Sequence, residues 1–121
     1  MNNTIPLKKN YEFLRVFKKG KFQAGKFMTL YILENNFRKN RLGITASKKV
    51  GKSVKRNRIK RLIRENYRII ENNVEIGYDI VFVARESEIM PEFNDIRKEM
   101  KYLMKRLNLL NQENEDCLKG Y

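Results

Sequence analysis

The segment from Lys55 to about Asn72 restricts the fold more than any other. With Arg56 set at zero and ~100° per residue, Lys60, Arg64 and Arg68 fall at about 40°, 80° and 120°, and Arg61 at about 140°. Ile59, Leu62, Ile63, Ile69 and Ile70 fall between about 220° and 340°, and Tyr67, at about 20°, lies on the border. A helix divided in this way has to lie on another layer, with its apolar side buried and its basic side outward. The outward row sets like charges at i, i+4 spacing, which costs a few tenths of a kcal/mol per pair. Only Glu65 relieves it. Solvated helix faces ordinarily mix signs, and this one hardly does. We therefore read it as a surface that meets a polyphosphate.

The distribution of charge agrees. The 121 residues hold 27 Lys and Arg against 14 Asp and Glu, a net charge of +13. Residues 48–68 alone carry a net +9, whereas residues 69–121 carry a net −4. A basic excess placed on one stretch points to nucleic acid before anionic membrane. The loop ahead of the helix (Ser47, Lys48, Lys49, Gly51, Lys52, Ser53) adds donors, and its backbone N–H groups stand near a helix start. It lacks the G-x-x-x-x-G-K-[ST] spacing, so it is not a nucleotide-binding P-loop.

Around this segment the pattern predicts a first helix over Lys9–Lys19, closed by Gly20. Two strands follow, Phe27–Glu34 and Arg41–Ser47, joined by an Asn35–Asn36 turn as a hairpin. After the basic helix come a buried strand over Gly77–Ala84 and a last helix from Pro91 through Leu110, with Ile96, Met100, Leu103, Met104 and Leu107 on one face. The order is α-β-β-α-β-α. The expected fold class is α+β, an α-β sandwich with a single, mostly antiparallel sheet packed by helices. One domain over residues 1–121 is expected, with 1–7 and 111–121 as frayed tails. Short apolar runs and the lack of a secretory pattern predict no membrane association, and the lone Cys117 predicts a reducing, cytoplasmic setting.

Histidine is absent and cysteine occurs once. This removes zinc sites, Ser-His-Asp and Cys-His nucleophiles, and a histidine-based ribonuclease. Asp79, Glu86, Glu88 and Asp95 are scattered and are expected to be solvated, so no catalytic or metal-binding residue is assigned. If the chain serves a reaction, the catalyst lies elsewhere.

The stretch K-R-N-R-I-K-R-L-I-R-E, Lys55–Glu65, closely resembles the signature of the bacterial ribonuclease P protein component. So do L-K-K-N-x-x-F-x-x-V-F-K-x-G (Leu7–Gly20), Leu30–Tyr31, R-x-G-x-x-x-S-K-K-x-G (Arg41–Gly51) and V-F-V-A-R (Val81–Arg85), in family order. The resemblance implies an α-β sandwich with a left-handed strand–helix–strand crossover, against the usual rule. It implies a protein subunit of an endoribonuclease in which a large RNA performs Mg2+-dependent removal of the 5′ leader from precursor tRNA, giving the mature tRNA 5′ end. Mg2+ is then held mainly by that RNA, with no organic cofactor and no obligate protein partner. The partners are the catalytic RNA and precursor tRNA. Carried onto this chain, the family's RNA-subunit surface corresponds to Lys52, Arg56, Asn57, Arg58 and Arg61. The leader cleft corresponds to Phe13, Phe17, Tyr31, Lys60 and Arg64, where aromatics stack on bases and cations follow phosphates. Read without the resemblance, Phe13 and Phe17 are a core stripe.

Two other readings compete. A structural RNA-binding protein, such as a ribosomal protein, shares the charge logic. A DNA-binding helix-turn-helix needs a free recognition helix, whereas Ile59, Leu62 and Ile63 tie this one to a core.

Overall fold

The computed structural model describes residues 3–111. The chain runs β1 (Thr4–Pro6), α1 (Asn10–Lys19), β2 (Lys21–Ala24), β3 (Met28–Glu34), β4 (Asn40–Ala46), α2 (Ser53–Ile70), β5 (Tyr78–Ala84) and α3 (Phe93–Arg106), with short 3-10 turns at Lys48–Val50 and Glu71–Asn73. The strands form one sheet in the order β1-β4-β5-β3-β2. β1 and β5 run parallel to β4, while β3 is antiparallel to both β5 and β2. The fold is thus α+β, but its sheet is evenly mixed rather than mostly antiparallel.

The predicted hairpin between residues 27–34 and 41–47 does not form, because β5 lies between the two strands. Ile80, Val81 and Phe82 are fully buried, so β5 needs cover on both faces and both edges, and only the centre of the sheet provides it. Asn40 directs this pairing: its carbonyl accepts the N–H groups of Gly77 and Tyr78, both at 2.9 Å, and its amide donates to the Glu75 carbonyl at 2.9 Å. That contact holds the start of β5 beside the start of β4. The true hairpin is β2–β3, built on the four-residue strand Lys21–Ala24 that the pattern does not single out.

Residues 4–7 are anchored, contrary to the expectation of a frayed tail. β1 pairs with Asn40–Leu42, Leu7 is buried, and the Thr4 hydroxyl lies 3.0 Å from that of Tyr67. α3 stops at Arg106 rather than Leu110; Asn108 takes a positive φ of 58°, which turns Leu109 and Leu110 into the core. Asn111 donates its N–H to Asn73 at 2.7 Å, and the rest of the predicted C-terminal tail lies outside the described residues.

The sheet is covered on both faces. Met28, Leu30, Ile32, Leu42, Ile80 and Phe82 meet α2 and α3 in the main core. Val81 meets Leu7 and Val16 on the other face, under α1, with Phe13, Tyr31, Leu33 and Val83 packed around them.

Candidate nucleic-acid interface

Gly51 takes φ 143°, a backbone conformation that favours glycine, and the chain then enters α2 at Ser53. Ile59, Ile63, Asn66, Tyr67 and Ile70 are buried, so the inner side of α2 is centred near 320° on the scale above, about 40° from the expected centre. Tyr67 is therefore inside, while Ile69, expected on the apolar face, is exposed. Tyr67 reaches β1 through Thr4, and Asn66 reaches α3 through the Phe93 carbonyl at 3.2 Å. These two contacts orient the cations.

Lys60 and Arg64 stand on the Tyr67 side, toward β1 and β4. Arg64 lines a cavity of about 280 Å³ together with Phe13, Gly43 and Ile44. Arg58 and Lys52 stand on the α3 side and line a second cavity, of about 420 Å³, with Val54, Lys55 and Met90. Asn57 and Arg61 are exposed on the ridge between. Arg56 turns back, its guanidinium donating to the Gly51 carbonyl at 2.9 Å, so it also fastens the loop to the helix. The five residues predicted to face the RNA subunit thus lie at the N-cap and in the first half of α2, but not in one direction.

On the opposite face of the sheet, α1 and two strands assemble an aromatic row. Phe13 and Phe17 lie 6.4 Å apart, Phe17 meets Tyr31 edge-on at 4.9 Å, and Tyr31 stacks with Phe22 at 5.5 Å. Phe17 and Phe22 are exposed, at 38% and 61%, so the row is an open surface as well as a core stripe. Phe22 is the residue that sequence reasoning missed. Its register opposite Tyr31 depends on β2, whose one local signal is the short K-F-Q-A run after Gly20. Gly43 makes the row possible, because a Cβ there would fall on the Phe13 ring. Met28 is buried on the α2–α3 face, and Thr29 is half-buried on the α1 face with Tyr31.

α1 is fixed by charge. Asp79, expected to be solvated, is fully buried: Arg41 donates to both of its oxygens at 2.7 Å, Asn35 donates at 3.0 Å and Arg15 at 3.3 Å. Arg41 also pairs with Glu12 of α1. Burial pushes the Asp79 carboxyl up, but hydrogen bonds from Arg41 and Asn35 and the adjacent positive charge outweigh it and hold the group below the usual 3.8. Arg41 is in turn held above its ordinary value by Asp79, against the opposing effect of burial. Glu99 is likewise engaged, accepting the N–H groups of Lys26, Phe27 and Met28 at the β2–β3 turn. Among the described residues no three His, Cys, Asp or Glu side chains converge as metal ligands.

These features define a class: small basic α+β proteins with a cation-bearing crossover helix on one side of the sheet and an aromatic row under the first helix on the other. The family model described as Ribonuclease P matches residues 1–108, and the chain belongs to that family. It is 48% identical over 105 residues to the ribonuclease P protein component of Alkaliphilus oremlandii, covering 87% of this chain and 92% of that one. It is 48% identical to that of Clostridioides difficile over 109 residues, covering 89% and 96%. The RNase P protein of Staphylococcus aureus superposes with a TM-score of 0.80 at 34% identity, covering 88% of this chain and 97% of that one. Membership makes the chain the protein part of an endoribonuclease of tRNA processing whose particle also contains RNA. No helix among the described residues is long and apolar enough to cross a membrane.

Proposed function

We propose that this chain binds the catalytic RNA of ribonuclease P through the start of α2 and the loop before it, and the 5′ leader of precursor tRNA along the aromatic row. The observation that carries this reading is the placement of the two surfaces on opposite faces of one sheet, with Phe13 and Arg64 meeting at a cavity on its β1 edge. Lys52, Asn57, Arg58 and Arg61 meet the RNA subunit, and Arg56 both meets it and holds the loop. Phe13, Phe17, Tyr31 and Phe22 offer faces for unpaired bases, and Arg64, with Lys60 one turn before it, follows the phosphates. A single-stranded leader suits such a groove because every base has a face to stack, so the site tolerates sequence.

Hydrolysis and the Mg2+ that supports it belong to the RNA in this reading. The carboxylates of Asp79 and Glu99 are engaged by Arg41 and by backbone N–H groups. The protein's contribution is to add cations and stacking surface, which lowers the Mg2+ the particle needs. The particle works in the cytoplasm, without a membrane or an obligate protein partner.

Reconstitution tests this directly. The chain alone leaves precursor tRNA uncut, and adding it to the catalytic RNA at low Mg2+ restores 5′ processing. Absence of any stimulation across the Mg2+ range, with stable association to ribosomal subunits instead, would favour the structural RNA-binding reading.

A further inference from the structure

We propose that the open cavity beside the start of α2, lined by the apolar Val54 and Met90 and by Lys52, Lys55 and Arg58, receives one unstacked nucleobase of the catalytic RNA. The inference rests on the reading above and extends it from phosphate contact to base contact.

Val54 is apolar yet 80% exposed at the second position of an 18-residue helix. Single exposed apolar side chains are ordinary. Val54, however, shares its cavity with Met90, which is half-buried and packs against the main core. The apolar lining is therefore held in place: Met90 by the core, Val54 by the helix. The other lining residues are cations alone, with no carboxylate lining the cavity. The first turn of α2 also lacks an acidic residue, although the helix dipole favours one there, so no carboxylate of that turn offsets the positive charge.

A paired RNA helix has little use for this combination. Its bases are stacked inward and it presents phosphate and ribose, which cations meet without an apolar lining. An unpaired base turned out of the stack matches both parts. Its ring lies on Val54 and on the polarizable Met90 thioether, while the flanking phosphates reach Lys52, Lys55 and Arg58.

Because Val54 is exposed, Val54→Ser removes its part of the apolar lining without disturbing the core. Affinity for the catalytic RNA is measured across salt for wild type, Val54→Ser and Arg58→Ala. Val54→Ser is expected to weaken binding roughly fivefold at every salt concentration with an unchanged log–log slope. Arg58→Ala is expected to lower the slope by about one. A photoreactive benzophenone side chain in place of Val54 is expected to crosslink, in the full-chain complex, to a single nucleotide that chemical probing finds unpaired. Equal affinity of Val54→Ser and wild type overturns the proposal, as does crosslinking spread over paired nucleotides or directed to a polypeptide. A wild-type chain that does not bind the catalytic RNA removes both the proposal and the reading beneath it, so the two failures are distinguishable.

Discussion

Asp79 is buried yet ionised because Arg41 contacts both of its oxygens, and Arg41 is itself shared with Glu12 on α1. Removing the carboxylate charge leaves a guanidinium that is only 13% exposed short of its main partner. Asp79→Asn is therefore expected to cost about 3 kcal/mol of stability at neutral pH, read by urea unfolding. The sign of the pH effect follows from the lowered acid constant. The contribution is present above the unfolded-state value near 3.8 and is lost as pH falls through the folded value below it. Wild-type unfolding midpoints should drop in that acid range more steeply than those of Asp79→Asn. Tyr67 has the opposite dependence. Burial raises its hydroxyl above 10.0, against hydrogen bonding with Thr4 and Asn40, so its contribution is whole below pH 10 and is lost as pH rises through the folded value. Tyr67→Phe is expected to cost about 1 kcal/mol at neutral pH, through the lost bond to Thr4, and to shallow the alkaline decline.

At the scale of elements, β4 and α1 approach so closely that the Phe13 ring lies where a side chain at residue 43 would begin. Gly43→Ala is expected to push Phe13 out of the row. Preference for leader-bearing over leaderless tRNA should fall severalfold, with RNA-subunit affinity unchanged because the cavity that holds Gly43 is lined by none of Lys52, Arg56, Asn57, Arg58 and Arg61. Equal loss of both affinities would show that β4 and α2 move together. The elements differ in how openly the sequence announces them. α2 is plain because its apolar residues recur within one helix, and β5 because Ile80–Val83 is a continuous apolar run. The pairing of the strands is not plain. The choice between β3 and β5 as neighbour of β4 is settled by Asn40 and by the need to bury β5 on both edges, contacts made across 35 to 38 residues. β1 and β2, of three and four residues, are too short for alternation to register. For the same reason Asp79 looks like a surface acid until Arg41, 38 residues away, is placed beside it. In the site, the cation row was legible because it is local. The joining of Phe22 to Tyr31, and the turning of Arg56 onto Gly51, depend on register and on the loop, which periodicity does not describe.

The molecule as a whole keeps its two surfaces apart by a sheet. Arg58 belongs to the helical layer over the main core, and Tyr31 to the layer under α1. The sheet stands between them, so their effects on binding of precursor tRNA to the assembled particle should add. In a double-mutant cycle, Arg58→Ala and Tyr31→Ala are expected to sum to within about 0.5 kcal/mol. Phe13 and Arg64 differ from that pair because they line one cavity at the β1 edge, where the two layers meet. A strand of RNA that stacks on Phe13 brings its phosphate to Arg64, so losing either weakens what the other holds. Phe13→Ala and Arg64→Ala should therefore show an interaction energy of about 0.5 kcal/mol or more, measured on leader-bearing substrate and absent on leaderless tRNA. If the cycle is additive for both pairs, the leader does not cross the edge of the sheet, and the aromatic row and the α2 cations are separate sites. Coupling confined to Phe13 and Arg64 instead traces a continuous path from the aromatic face, around β1, to α2, the helix proposed to bind the catalytic RNA.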